Sequence, residues 1–176
     1  MKKISKHLRL DNKGKSPAFY LKKNVNSLSN KTIKSINDLS QKNKKDARIC
    51  MHSNVKDKVQ LMINSLQRRN VYFYNYHPHT NEYYYILKGK LLISYFEKNK
   101  KKKQILQKGK VQFFKLKKNI LHVTIPFSKD CMYLEIREGP FNSKKDAIFS
   151  KKNETLLKKE FLKRLKFVDL VKAQIY

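Results

Sequence analysis

Five histidines stand in the chain: His7, His52, His77, His79 and His122. Two of them form the triplet His77-Pro78-His79. In an extended strand, residues i and i+2 point to the same face, so both imidazoles can reach one point. Pro78 cannot donate to a sheet ladder, which puts this stretch at a strand end or edge. Glu82 follows just past Thr80-Asn81. If those two residues turn the chain, Glu82 comes back beside the histidines. Two neutral imidazoles and a carboxylate are a good donor set for a divalent transition metal. A fourth ligand has to come from elsewhere, and His122, after the loop Lys117-Lys118-Asn119, is the obvious candidate.

The elements that must position these residues follow from periodicity. Residues 31–42 read as a short helix, capped by Ser29 or Asn30, with Ile33, Ile36 and Leu39 on one side. Residues 55–67 read as a second helix, because Val55, Val59, Met62, Ile63 and Leu66 recur at three- and four-residue steps. From Val71 onward the runs 71–76, 83–87, 91–96, 104–106, 111–116, 121–125 and 132–136 are short and rich in aromatic or β-branched residues. Lys88-Gly89 looks like a hairpin turn, and 97–103 like a solvated, lysine-rich tip. Seven short strands predict a small antiparallel barrel or sandwich. By alternation Val71, Phe73 and Asn75 lie on the ligand face, and Tyr84 sides with Glu82 to line the pocket. Glu135 sits in an otherwise apolar strand; pointing inward it needs a partner such as Arg48 or Arg137, and pointing outward it is a surface acid. Residues 154–172 read as an amphipathic helix docked on the barrel or on a partner subunit, with Leu157, Phe161, Leu165, Val168 and Val171 as its stripe.

The chain thus divides into a basic arm (1–30), a helical segment packed on the barrel (31–70), the β-barrel (71–141) and a basic tail with a C-terminal helix (142–176). Composition bounds what it can be. In 176 residues, 40% hydrophobic, there is enough apolar side chain for a real core, which excludes wholesale disorder. No run of about 18 apolar residues exists to span a membrane as a helix. The charged start Met1-Lys2-Lys3-Ile4-Ser5-Lys6 leads into no apolar stretch of the signal-peptide kind, and Cys50 and Cys131 are too few and too far apart for a disulfide framework. A cytoplasmic protein with two buried thiols is the expectation. The formal charge of +29 rests on 42 Lys and Arg against 13 Asp and Glu, but only six of the 42 are Arg. A dedicated phosphate binder would use more of the forked guanidinium.

The pattern His77-x-His79-x2-Glu82-x6-Gly89, then Gly109 and His122, resembles the two sequence motifs of the cupins. It departs from them in spacing: two residues, rather than three or four, separate His79 from Glu82, and no Pro or Gly immediately precedes His122. Arg48-Ile49-Cys50-Met51-His52, Asp57, Gln60, Met62 and Leu66, the histidine set, Glu135 and Gly139-Pro140-Phe141 are together similar to the WbuC-type cupin-fold metalloproteins, over about residues 31–150. That family is associated with bacterial O-antigen and surface-polysaccharide loci. The resemblance implies a mostly β, cupin-type antiparallel barrel (jelly roll), to which the periodicity adds N-terminal helices and a C-terminal helix. It implies one divalent transition metal (iron, zinc, manganese or nickel) on His77, His79, Glu82 and His122. It also implies a small polar or sugar-like ligand, anionic or hydroxylated, met by Arg48 and His52 from a segment folded across the barrel mouth, with Arg48 holding a carboxylate or phosphate, and a homodimer. Cupin sites support isomerisation, epimerisation, oxygenation and plain binding, and the fold does not choose among them.

A second class of function stays open on the residues alone. The lysine-rich arms suit a binding module for nucleic acid or an anionic surface, with exposed aromatic rings to stack on bases and a metal that is only structural.

Overall fold

In a computed structural model the chain is described over residues 6–11, 16–22, 24–68, 70, 72–142 and 145–149. The C-terminal helix expected at 154–172, and Val71, lie outside the described residues.

The chain opens with β1 (Leu8–Asp11) and β2 (Ala18–Leu21), an antiparallel pair, so the basic arm carries strands of its own. Helix α1 (Asn30–Asn43) follows. Ser29 caps it: its hydroxyl oxygen accepts the Thr32 N–H at 3.2 Å. Lys44 ends it in the left-handed conformation, at φ 53°. Ile36, fully buried, sits at the centre of the face that α1 turns inward. Next come β3 (Ala47–Cys50) and β4 (Val59–Gln67).

Strand β4 overturns the expected helix at 55–67. Its residues pair one for one with a later strand over the whole of 59–67. Both of its faces are covered. Ile63 packs toward α1, and the Ser65 hydroxyl donates to Asn37 on that helix. Met62, Asn64 and Leu66 face the other way. A strand buried on both sides shows no polar alternation, so its apolar residues happened to fit a helical stripe. Residues 55–58, read as the start of that helix, belong instead to a turn over 53–58. There Asp57 Oδ2 accepts from the Ser53 N–H at 2.6 Å and its hydroxyl at 2.8 Å.

The remaining strands are β5 (Asn75–Tyr76), β6 (Glu82–Lys88), β7 (Lys90–Glu97), β8 (Lys100–Gln107), β9 (Phe113–Leu116), β10 (His122–Pro126), β11 (Asp130–Glu138) and β12 (Ile148–Phe149). They fall into two sheets, β1-β2-β3-β4-β11-β6-β9 and β12-β5-β10-β7-β8. Within them, β4-β11-β6-β9 faces β5-β10-β7-β8, which is the eight-strand order of a jelly roll.

Lys88-Gly89 is not a hairpin turn: β6 and β7 belong to different sheets. The chain turns a corner at Gly89, whose φ of +76° and approach to the Asp130 carbonyl leave no room for a side chain. The β7–β8 hairpin turns at Lys98-Asn99, both at positive φ, so the lysines at 100–103 lie along an exposed edge strand and not at its tip. Charged side chains on an edge discourage strand addition.

Between the sheets lies a core of Leu66, Tyr84, Ile86, Leu91, Ile93, Leu106, Cys131 and Tyr133. A second core, with Phe19, Ile36, Ile49, Ile63 and Met132, sits between the larger sheet and α1. Cys50 and Cys131 are both buried free thiols, and burial pushes the Cys131 thiol up to about 12. Among the described residues no helix is long and apolar enough to cross a membrane.

Candidate metal centre

Three side chains converge at one end of the sandwich. Glu82 is the first residue of β6, His122 the first of β10, and His77 follows β5 directly. All three are buried, and their donor atoms lie within 4.8 Å of one another. His77 Nε2 is 3.1 Å from Glu82 Oε1, and His122 Nε2 is 2.9 Å from Glu82 Oε2. The Tyr84 hydroxyl donates to Glu82 Oε2 at 2.8 Å and stands 3.4 Å from His122 Nε2.

The other ring nitrogens decide what this cluster is able to hold. His122 Nδ1 donates to the Ile120 carbonyl at 2.9 Å, and His77 Nδ1 to the Asp146 carbonyl. A carbonyl only accepts, so each Nδ1 carries the proton. In a neutral ring, Nε2 then presents a lone pair, and here both lone pairs face a carboxylate. Such an arrangement needs positive charge: either protonated rings or a cation among the three groups. The electrostatics agree. Burial pushes the His122 imidazole down, but the Glu82 carboxylate and the Ile120 carbonyl outweigh it and hold it above the ordinary histidine range. Burial likewise pushes Glu82 up, yet the two histidines bring it well below the usual carboxylate range. Nδ1 fixed on a carbonyl with Nε2 aimed at an acidic oxygen is the second-layer arrangement of a metal-binding histidine. The residues present therefore fit a divalent metal.

The structure does not bring every expected residue to this point. His79 is exposed and stands outside the cluster. The same-face argument for His77 and His79 required a strand, but β5 ends at Tyr76 and the chain bends at Pro78-His79. His52 lines a different cavity, with Arg9, Lys22 and Asp57. There its Nδ1 meets the backbone of Leu61 and Tyr20 packs edge-on against its ring at 5.6 Å; burial lowers its basicity.

Arg48 and Tyr84 do line the same cavity as the triad, a space of about 620 Å³ that also takes in Phe73, Asn75, Glu135 and Arg137. Glu135 therefore points inward, where Asn64 Nδ2 donates to it at 2.9 Å. Burial raises its carboxyl above the ordinary range, against the opposing charge of Arg137. The carbonyls of Ile120 and Asp146 carry no side-chain signature that a sequence reading could use. Asn64 was hidden because its segment read as a helix.

The buried His77, Glu82 and His122 thus sit at one end of a jelly-roll interior, with a ligand-sized cavity beside them. Among solved structures, this chain is similar to the capsular polysaccharide assembling protein CapF from Staphylococcus aureus, with 16% identity over 53% of this chain and 27% of that one, at a TM-score of 0.46. It is similar to Lactobacillus farciminis oxalate decarboxylase in a formate complex, with 15% identity over 55% of this chain and 28% of the other, at a TM-score of 0.45. It is similar to an oxalate oxidase in complex with the substrate analogue glycolate, with 16% identity over 54% of this chain and 47% of the other, at a TM-score of 0.44. In each case this chain spans less than half of its neighbour's length. No protein-family model matches the chain, and no curated protein sequence does.

Proposed function

We propose that this chain is a cupin-type metalloprotein holding one divalent transition metal on His77, Glu82 and His122, and that it takes a small polar metabolite in the adjoining cavity. One observation carries this reading: two histidines spend Nδ1 on backbone carbonyls and turn Nε2 on one buried carboxylate. Three protein ligands leave coordination positions open, which suits chemistry or ligand capture better than a closed structural site.

A metal held there supplies Lewis-acid polarisation of a ligand's carbonyl or hydroxyl oxygen. The chain's own residues supply the rest. Tyr84, fully buried, keeps its proton, because burial and the Glu82 charge push its hydroxyl well above the ordinary tyrosine range. It thus acts as a fixed hydrogen-bond donor to Glu82 and orients that carboxylate. The carbonyls of Ile120 and Asp146 hold the rings in one tautomer. Phe73, Phe141 and Phe149 add apolar wall to a polar cavity, a mixture that fits a sugar-like ligand. The residue-level resemblance to WbuC-type proteins favours a place in bacterial surface-polysaccharide chemistry.

Cobalt(II) tests this directly. Added to metal-free protein, it should give the visible bands of a nitrogen- and oxygen-ligated ion. His77→Ala and His122→Ala should each lose those bands while keeping the β-rich circular dichroism of the parent. Unaltered bands in both variants would place the ion elsewhere and defeat the proposal.

A further inference from the structure

The cavity has a second charged group that the triad does not use. Arg48 on β3 and Arg137 on β11 both line it, and in each the Nε is buried with no hydrogen-bond partner among the described residues. An unpaired buried donor on a charged group is costly, so such groups are normally satisfied. Their carboxylate neighbour does not satisfy them. Glu135 Oε1 stays 4.0 Å from Arg137 Nε, beyond hydrogen-bond distance, and Glu135 Oε2 is taken by Asn64. On this face the two guanidiniums stand beside Glu135, while the other carboxylate, Glu82, is engaged by His77, His122 and Tyr84.

The strand register sets this pair beside the triad. Residues directly paired across a sheet share a face. Arg137 is paired with Glu82, and Glu135 with Tyr84. Glu135 is also paired with Met62, and Arg48 with Asn64, two residues along β4 from Met62. Arg48, Glu135 and Arg137 therefore project from the same inner face as Glu82, and Arg137 stands one strand away from it, at about 5 Å between backbones. Phe141 holds Arg137 in place, its ring centre 4.6 Å from the guanidinium carbon.

We infer that Arg48 and Arg137 form an anion subsite next to the triad, and that the ligand is a small organic acid. Its carboxylate or phosphate rests on the two guanidiniums while a hydroxyl or carbonyl oxygen of the same molecule reaches the triad. The forked guanidinium matches both anions in two-point contact, which lysine does not. The second half of the statement rests on the metal-binding reading above; the anion subsite itself does not.

The test is calorimetric titration of the full chain, metal-loaded and metal-free, with glycolate, phosphoglycolate and neutral glycolamide. The variants are Arg48→Gln, Arg137→Gln, the double change, and Arg48→Lys with Arg137→Lys, with metal content measured in each. The parent should bind one or both acids and not the amide; binding of glycolate assigns the subsite to a carboxylate, and binding of phosphoglycolate alone shows that the ligand must carry a phosphate. Each single Gln change should weaken that binding about 10-fold. The double Lys variant, which keeps charge and bulk, should also weaken it while retaining metal. Binding in the double Gln variant equal to the parent would assign it to the lysine-rich surface and overturn the inference. So would metal-loaded parent that binds neither acid, an outcome that leaves the metal reading standing. Arginine-dependent binding in a chain that takes up no metal would keep the anion subsite and remove the metal.

Discussion

Tyr84 offers the most informative single atom. Its hydroxyl donates to Glu82 Oε2 at 2.8 Å, which orients that carboxylate, and stands 3.4 Å from His122 Nε2. Tyr84→Phe should keep the fold, because the ring still packs on Tyr133, and should weaken metal binding about 10- to 100-fold in competition with a chelator. An unchanged affinity would show that the hydroxyl does no positioning. The site's pH response follows from His122. Its basicity is raised in the fold, so in the metal-free protein the pairing with Glu82 is fully present below about pH 6.5 and is lost as pH rises through the higher folded value. Metal needs the ring neutral, so its stabilisation runs the other way. The gap in Tm between metal-loaded and metal-free protein should widen from about pH 6 to about pH 8. A constant or shrinking gap would contradict the assignment of His122. At this scale the sequence was readable where side-chain chemistry was unusual. His77, Glu82 and His122 stand out by type and spacing, and Tyr84 by its two-residue step from Glu82. His79 shares their type but lies past a bend that only the three-dimensional path reveals. Arg137 could be seen only as one of two partners for an inward Glu135.

Among the elements, the corner at Gly89 aligns the two sheets. A Cβ there would meet the Asp130 carbonyl at 1.8 Å in a backbone already at φ +76°, whereas Gly109 has a similar φ of +78° and nothing near it. Gly89→Ala should therefore cost clearly more than Gly109→Ala, which pays only the conformational penalty of about 1–2 kcal/mol. Urea midpoints of the two variants compare them, and equal losses would contradict the close approach. The elements also show where pattern reading succeeds and fails. Helix α1 is visible because one face meets a core and the other water, and six of the later strands because each is a short aromatic or β-branched run bounded by turn residues or lysines. Strand β4 was not, since α1 covers one side and the sandwich interior the other. The corner at Gly89 was mistaken for a hairpin because a Gly between two short strands looks the same in either role. β1 and β2 are short and lie in a lysine-rich stretch, and gave no strand signal.

At the scale of the whole molecule the charge dominates. With +29 at neutral pH and Lys100 to Lys103 exposed along β8, the protein should adhere to any polyanion. That adhesion should fall linearly on a log-log plot of affinity against salt, with no preference between heparin and single-stranded DNA. It should be the same in Arg48→Gln and Arg137→Gln, whose guanidiniums line the cavity. A strong preference for one nucleic acid sequence would instead revive the nucleic-acid reading. The surface charge and the interior site are thus separable properties.

For the interior site, we propose that His77, Glu82 and His122 hold a metal. The most direct measurement is elemental analysis of untagged protein beside His77→Ala, His122→Ala and His79→Ala. Near one equivalent of a transition metal per chain should be found in the parent and in His79→Ala, and should be absent from the other two while they stay folded. A parent that takes up no metal even after reconstitution, or variants at positions 77 and 122 that keep it, would contradict the claim.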